Sequence, residues 1–436
     1  MPESSYTSTR ACSRWPLSVL EPICCSQMTG VRYGSYATPL SLLNVLFLFG
    51  AIQTLLLSSA ATLPLRQQPI SNPNGICALL VLTRGYDCQE YKVPTADGFL
   101  LAIQRVSSRK LRPSKGPAFL YHGLMQGGDI WVLDTPNRSL GFVLADNGYD
   151  VWIGSTRSSR FSYGHIYLQR TDPEFWNWDW DDLVAQDLPT MLHFVHMQTN
   201  QLIYFVGYSQ GTMTAFAAFT RPGVSGMVKK AAMLSPIAYL NHVTSPVASI
   251  VSWLFLDKLL LVGGVHQFNI SDEGGKQVIN SVCRKLKKPD CYSNLLSLVT
   301  GPNCCINTTL ISFYDKFELQ TTSMRNLAQM AQLLRTGRFG MYDYGWFRNL
   351  LHYGDFFPPS YDLSEIPRSM PMLLAHGGQD QLADEEDVRH LMLELPNTAQ
   401  VLFLPQFAHG DFVLGHSARV LVYDHLLRFF AGDPPS

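Results

Sequence analysis

Leu202-Ile203-Tyr204-Phe205-Val206-Gly207-Tyr208-Ser209-Gln210-Gly211, followed by Thr212-Met213-Thr214-Ala215-Phe216-Ala217-Ala218, is the stretch that decides the fold. The apolar run reads as a buried strand, the glycine-flanked serine as a tight turn, and the small residues and helix formers after it as a helix. Such a turn lifts a serine hydroxyl clear of the sheet, in a strained backbone geometry tolerable only if its neighbours lack bulk. The helix N-terminus behind it aims free N–H groups and a positive dipole at any negative charge that develops nearby. Gly-x-Ser-x-Gly alone is common by chance. Between a buried strand and a helix it marks Ser209 as a candidate nucleophile, against the plainer reading of an ordinary strand–helix turn.

The same rhythm extends along the chain. Val93-Pro94-Thr95-Ala96-Asp97-Gly98-Phe99-Leu100-Leu101 reads as a hairpin around an Asp-Gly turn. Short apolar runs follow at Pro117–His122, Tyr149–Ile153, Leu202–Val206 and Ala231–Leu234, and later at Met372–Ala375 and Val401–Leu404. Helical patterns lie between them at Ser139–Asn147, Trp180–Gln198 and Glu385–Leu395. Continuous apolar strands alternating with helices predict an α/β fold with a mainly parallel, doubly wound sheet covered on both faces. Between about Tyr239 and Ile366 the strand rhythm stops, and the segment reads as an inserted helical cap. The expected division is a leader over 1–61, a core over 62–238, the cap over 239–366 and the rest of the core over 367–436.

A serine hydroxyl is a poor nucleophile until a base takes its proton, and that base needs an orienting carboxylate. In doubly wound hydrolases these follow as Ser, then Asp or Glu, then His, each after a strand. Asp380 lies in the glycine-rich turn after Met372–Ala375, and His409 lies in the loop after Val401–Leu404. Asp384, Glu385 and Asp387 are alternative acids, but read as the capped, solvated start of a helix. Asp411 reads as a local hydrogen-bonding partner. Of twelve histidines, His409 is favoured because it follows the last strand. An oxyanion hole needs two N–H donors. Gln210, directly after the serine, and Leu124, in the loop Tyr121-His122-Gly123-Leu124-Met125-Gln126-Gly127-Gly128, are the candidates, with His122 a loop anchor.

The chain of 436 residues is 46% hydrophobic and 15% charged, with a net charge of −1. That balance argues against nucleic acid as a partner and suits a greasy substrate. No charged residue occurs from Tyr33 to Leu65, and the apolar run Leu40–Leu57 ends in Ser58-Ser59-Ala60-Ala61. This is the pattern of a secretory signal, with Met28 as its start and Arg32 as its positive region; an uncleaved signal-anchor is the alternative. Six of the nine cysteines follow it: Cys77, Cys88, Cys283, Cys291, Cys304 and Cys305. An even set in an oxidising compartment predicts up to three disulfides of open connectivity, with the short-range pair Cys283–Cys291 the simplest choice. No histidine lies at zinc-ligand spacing beside them. Sequons at Asn137, Asn269 and Asn307 fit the same route.

Taken together, His122-Gly123-Leu124, Ser139 through Trp152, Phe175-Trp176-Asn177-Trp178, Asp187-Leu188-Pro189, Gly207 through Thr212, Gly378 through Asp384 and His409-Gly410-Asp411-Phe412 resemble the acid lipases, the family of gastric and lysosomal lipases. The similarity runs in order from about Cys77 to Phe430 and extends above all to the plant triacylglycerol lipase branch. The resemblance implies an α/β-hydrolase fold with a helical cap and lid, and cofactor-free hydrolysis of acylglycerol or steryl esters at a lipid–water interface. It implies a triad of Ser209, Asp380 and His409 with oxyanion donors Leu124 and Gln210, and residence in the secretory pathway, either outside the cell or in a vacuole or lysosome. Two positions depart from the family pattern. Many relatives carry His at Tyr208, which places pH optimum or acyl preference in question, and some carry Asn-x-Arg-Gly where Ser155-Thr156-Arg157-Ser158 stands. A carboxylesterase or acyltransferase with the same triad, and a non-catalytic binding protein on the same fold, are the rival readings.

Overall fold

The computed structural model describes residues 67–269, 297–314, 316–317, 319–396 and 399–432. Eight strands form one sheet: β1 (Asp87–Pro94), β2 (Leu100–Ser107), β3 (Pro117–Tyr121), β4 (Asp150–Ser155), β5 (Ile203–Tyr208), β6 (Val228–Leu234), β9 (Met372–Gly377) and β10 (Gln400–Leu404). Two strands of two residues each, β7 (Gln267–Phe268) and β8 (Thr322–Ser323), pair separately. The sheet order is β1-β2-β4-β3-β5-β6-β9-β10. β1 and β2 form the expected antiparallel hairpin and β2 meets β4 antiparallel. From β4 to β10 every pairing is parallel.

The strands β3, β4, β5 and β9 are buried along their whole length. Alternation still operates within them, because successive side chains serve opposite faces. Phe119, Trp152, Phe205, Met233 and Leu374 pack on one face, together with side chains from the helices Leu188–Thr199, Gln210–Phe219 and Glu385–Glu394. Leu120, Val151, Val206, Leu234 and Leu373 pack on the other, under the helices Leu140–Asp146 and Asp424–Ala431. Two apolar faces explain why these strands read as unbroken hydrophobic runs.

One expected helix is interrupted. The Trp180–Gln198 pattern is realised as a short turn at Trp180–Asp182, a widened π-type turn at Leu183–Asp187 and a regular helix at Leu188–Thr199. Pro189 cannot donate an amide hydrogen into the preceding turn, and the wider turn absorbs the mismatch.

The chain passes from β3 out to β4 and then back across to β5, so strand order reverses between β3 and β5. Ligand crevices in open α/β sheets form outside the carboxyl ends of the strands at such a reversal. Ser209 follows β5, Leu124 follows β3, and Asp380 and His409 follow β9 and β10. All four stand on the same sheet edge.

Between β6 and β9 the described residues hold the helices Pro246–Trp253, Leu256–Val262, Met324–Thr336 and Trp346–Tyr353, and only the β7–β8 pairing as strand. Arg335 donates two hydrogen bonds to the buried Asp257, and Ser252 donates to the Ala331 carbonyl, which ties three of these helices together. No described helix is long and apolar enough to cross a membrane. Disulfides join Cys77 to Cys88 and Cys304 to Cys305. The Cys283–Cys291 pairing and the 1–61 leader lie outside the described residues.

Candidate active site

Ser209 adopts φ 54° and ψ −125°, a left-handed region that a non-glycine residue enters only under constraint. The constraint is visible. Its N–H donates to the Leu234 carbonyl of β6 at 3.0 Å, and its carbonyl accepts the Thr212 hydroxyl at 2.7 Å. Gly211 is required by close approach: a Cβ there would stand 2.6 Å from the His122 carbonyl oxygen and 2.7 Å from that of Tyr121. Gly123 is required for the same reason, since its Cβ would meet the Ser209 Cβ at 2.9 Å. The loop after β3 thus lies directly against the serine.

His409 Nε2 stands 2.8 Å from Ser209 Oγ. On its other side Nδ1 stands 2.9 Å and 3.0 Å from the two Asp380 oxygens. Asp380 is itself oriented by the N–H groups of Leu382 and Ala383, at 2.9 Å and 2.8 Å. A carboxylate that faces Nδ1 selects the tautomer with its proton there, leaving Nε2 free to accept from the serine. All three residues are buried, Ser209 being 8% exposed.

Tyr208 lies against His409. Its ring lies 5.2 Å from the His409 ring, and its hydroxyl donates to the His409 backbone carbonyl at 3.1 Å. It holds the histidine loop by the backbone. His122 anchors two loops, as expected: Nδ1 faces the Gly123 carbonyl at 2.8 Å and Nε2 accepts from the Thr156 N–H at 3.0 Å. Burial pushes this imidazole down to about 4, so it stays neutral with one nitrogen donating and the other accepting.

The alternative acids sit apart from the imidazole of His409. Asp384 caps the helix Glu385–Glu394 by accepting from the Glu386 N–H, and Glu385 pairs with Arg389 on the surface. Asp387 corrects the expectation of a solvated residue: it is buried and accepts from both the backbone N–H and Nδ1 of His242. Asp411 accepts from the N–H groups of Ala408, Cys304 and Cys305, as a local bonding partner should. Cys304, Cys305 and Asp411 are the one group of potential metal ligands clustered among the described residues. Their sulfurs are bonded to each other, which leaves no thiolate to take a metal.

Several supporting residues escape sequence reasoning. Arg157 is fully buried and grips Asp187 through Nε, Nη2 and its backbone N–H, with Asp97 2.7 Å away on Nη1. Both Arg157 and Asp187 stand in the motifs quoted above, but nothing local indicates that they pair. Asp129 is wholly buried beside the β3 loop. One oxygen accepts from Gln320 Nε2 at 3.0 Å, and the other has no hydrogen-bond partner. Burial pushes its carboxyl up to about 7.

A family profile described as "Partial alpha/beta-hydrolase lipase region" matches residues 78–135. Triacylglycerol lipase 1 of Arabidopsis thaliana is 44% identical over 82% of this chain and 90% of its own length. Human gastric triacylglycerol lipase is 30% identical over 80% of this chain and 89% of its own. Among solved structures, a soluble variant of monoglyceride lipase from Saccharomyces cerevisiae superposes with a TM-score of 0.50 at 13% identity, covering 80% of this chain and 96% of that one. That likeness carries the fold. Similarity sustained across nearly the full length of these relatives carries the family: the chain belongs to the acid lipase family of α/β-hydrolases, with the plant triacylglycerol lipases and the gastric lipases.

Proposed function

We propose that the protein is a serine ester hydrolase acting on acylglycerols, with Ser209 as nucleophile, His409 as general base and acid, and Asp380 as the orienting carboxylate. The observation that carries this is the unbroken line Ser209 Oγ, His409 Nε2, His409 Nδ1, Asp380, with contacts of 2.8 Å and 2.9 Å. Ser209 Oγ attacks the ester carbonyl carbon while its proton passes to His409 Nε2. The backbone N–H groups of Gln210 and Leu124 stabilise the oxyanion. The tetrahedral intermediate collapses, the C–O bond to the alcohol breaks, and His409 gives the alcohol its proton. Water then attacks the acyl-enzyme by the same route and releases the fatty acid. No step requires a cofactor.

Residues 239–366 act in this reading as a cap over the site, whose lid must part before an ester reaches the buried serine. Exposed Trp346, Phe347, Leu351 and Phe357 on that segment suit transient contact with a lipid surface. Triacylglycerol is the favoured substrate because the relatives at 44% and 38% identity carry that name. The apolar run before residue 61 and the disulfides Cys77–Cys88 and Cys304–Cys305 support passage through the secretory pathway.

The test is an activity panel of tri-, di- and monoacylglycerols and steryl esters on the wild type and on Ser209→Ala. Triacylglycerol should be cleaved, and the variant should lose a factor of ~10⁴ or more. Wild-type activity in Ser209→Ala would overturn the assignment. A steryl ester cleaved in preference would redirect the substrate class and leave the mechanism standing.

A further inference from the structure

The segment Gln320–Asn326 passes through β8 into the helix Met324–Thr336. It carries two buried amide side chains, and each grips a different wall of the proposed oxyanion hole. Gln320 serves the loop after β3. Its backbone N–H donates to the Met125 carbonyl at 2.7 Å, and its Nε2 donates to Asp129. Its Oε1 accepts from Ser159 Oγ and from the Arg160 N–H, both at 3.0 Å. Met125 needs such a grip, for it is held at φ 57° directly after Leu124. Within the loop, Gln126 Oε1 accepts the Gly123 N–H at 3.1 Å, so Leu124 lies between two fixed points.

Asn326 serves the other wall. Its Oδ1 accepts from Gln210 Nε2 at 2.7 Å, and its Nδ2 donates to Thr322 Oγ1 at 3.0 Å. Ser323, between the two, bonds the Trp176 and Trp178 carbonyls and fixes the segment to the core. Buried amides are costly to leave unpaired, so these bonds set the orientation of the residues they hold.

We propose that Gln320 and Asn326 are positioning residues that aim the Leu124 and Gln210 N–H groups at the oxyanion, so that the seating of the inserted segment sets the rate of acyl transfer. Neither touches the reacting atoms. The inference rests on Leu124 and Gln210 being the oxyanion donors.

The test uses the full-length protein with a soluble short-chain nitrophenyl ester and a fluorophosphonate that labels the serine. Removing one oxyanion donor outright costs ~10²–10³ in turnover, so misaiming one should cost roughly tenfold or more. Asn326→Leu and Gln320→Met are therefore expected to lower kcat by about tenfold at unchanged KM, with phosphonate labelling slowed in parallel. Asn326→Asp keeps the oxygen that receives Gln210 and should recover most of that loss. Thr322→Val is close in shape and removes one of the two acceptors of Asn326 Nδ2, leaving its bonds to Gln210. It gives a milder loss of the same kind and replaces Asn326→Leu if that variant does not fold.

Unchanged kcat and labelling in folded variants would overturn the proposal. So would an equal fall in Asn326→Asp and Asn326→Leu accompanied by a rise in KM, which is the signature of general loosening. Failure of Ser209 as the nucleophile, on which the proposed function rests, looks different: the phosphonate would then leave Ser209 of the wild type unlabelled.

Discussion

Replacing Asp129 by Asn should reshape how stability depends on pH. Asp129 is wholly buried, one of its oxygens has no partner, and burial lifts its carboxyl from the ordinary 3.8 to about 7. A carboxyl with a raised folded-state value takes up a proton on folding, so its contribution is fully present below the unfolded value and is lost as pH rises towards the folded one. The window is therefore about pH 4 to 7. Roughly three units at 1.36 kcal/mol each amounts to about 4 kcal/mol of stability lost across it. The amide introduced by Asp129→Asn cannot ionise and still offers an oxygen to Gln320, so it imitates the protonated acid. Urea unfolding of wild type and variant at about pH 4 and about pH 8 measures this directly. The stability difference should move by about 4 kcal/mol in favour of the variant between the two conditions. Using the difference removes the contributions of other buried acids such as Asp179 and Asp181, which burial also raises. A difference that stays constant within about 1 kcal/mol would show that Asp129 is charged in the folded protein at both conditions, and would refute the reasoning.

Three further outcomes are expected. Asp380→Asn should keep the geometry but lose the carboxylate that selects the Nδ1-protonated imidazole, lowering kcat by ~10⁴ in a steady-state ester assay; a loss below tenfold would contradict that role. Arg157→Met should cost about 3–5 kcal/mol in urea unfolding, because Asp187 is left buried and charged without its partner; a cost under about 1 kcal/mol would mean that the pair does not hold the turn after β4 to the widened turn at Asp187. Tyr208→Phe removes a hydroxyl from the His409 carbonyl and should cost about 1 kcal/mol of stability and less than tenfold in kcat. Its pH–rate profile should keep its position, and a displacement of about one unit would show that the hydroxyl acts on the imidazole instead.

The strands were legible because each is a short unbroken apolar run, and a run of that kind has few other uses in a doubly wound sheet. Order along the chain then located Asp380 and His409, although 200 residues separate Ser209 from His409. The break in the Trp180–Gln198 pattern was harder to see, since Pro189 is tolerated in the first turn of a helix and does not by itself announce a wider turn before it. The amide pairs were not legible at all. Gln320 meets Asp129 across 191 residues, and Asn326 meets Gln210 across 116. A single Gln or Asn in a helical stretch carries no sign of its partner, because its purpose lies in a fold not yet made.

The histidine loop also hangs from the inserted region. His409 N–H donates to the Thr300 carbonyl, Gly410 N–H to Asn303 Oδ1, and Cys304 and Cys305 hold Asp411. Such anchoring bears on inheritance and engineering. A cap attached only at its two ends could be traded between enzymes as a module, with specificity following the graft. Here the described residues of the insertion reach the His409 loop as well as the wall around Ser209. Exchange with a distant relative would therefore require matching changes in the β3 loop, at position 210 and at position 411. On the proposed mechanism, trimming the region between β6 and β9 should lower turnover even on esters small enough to need no opening.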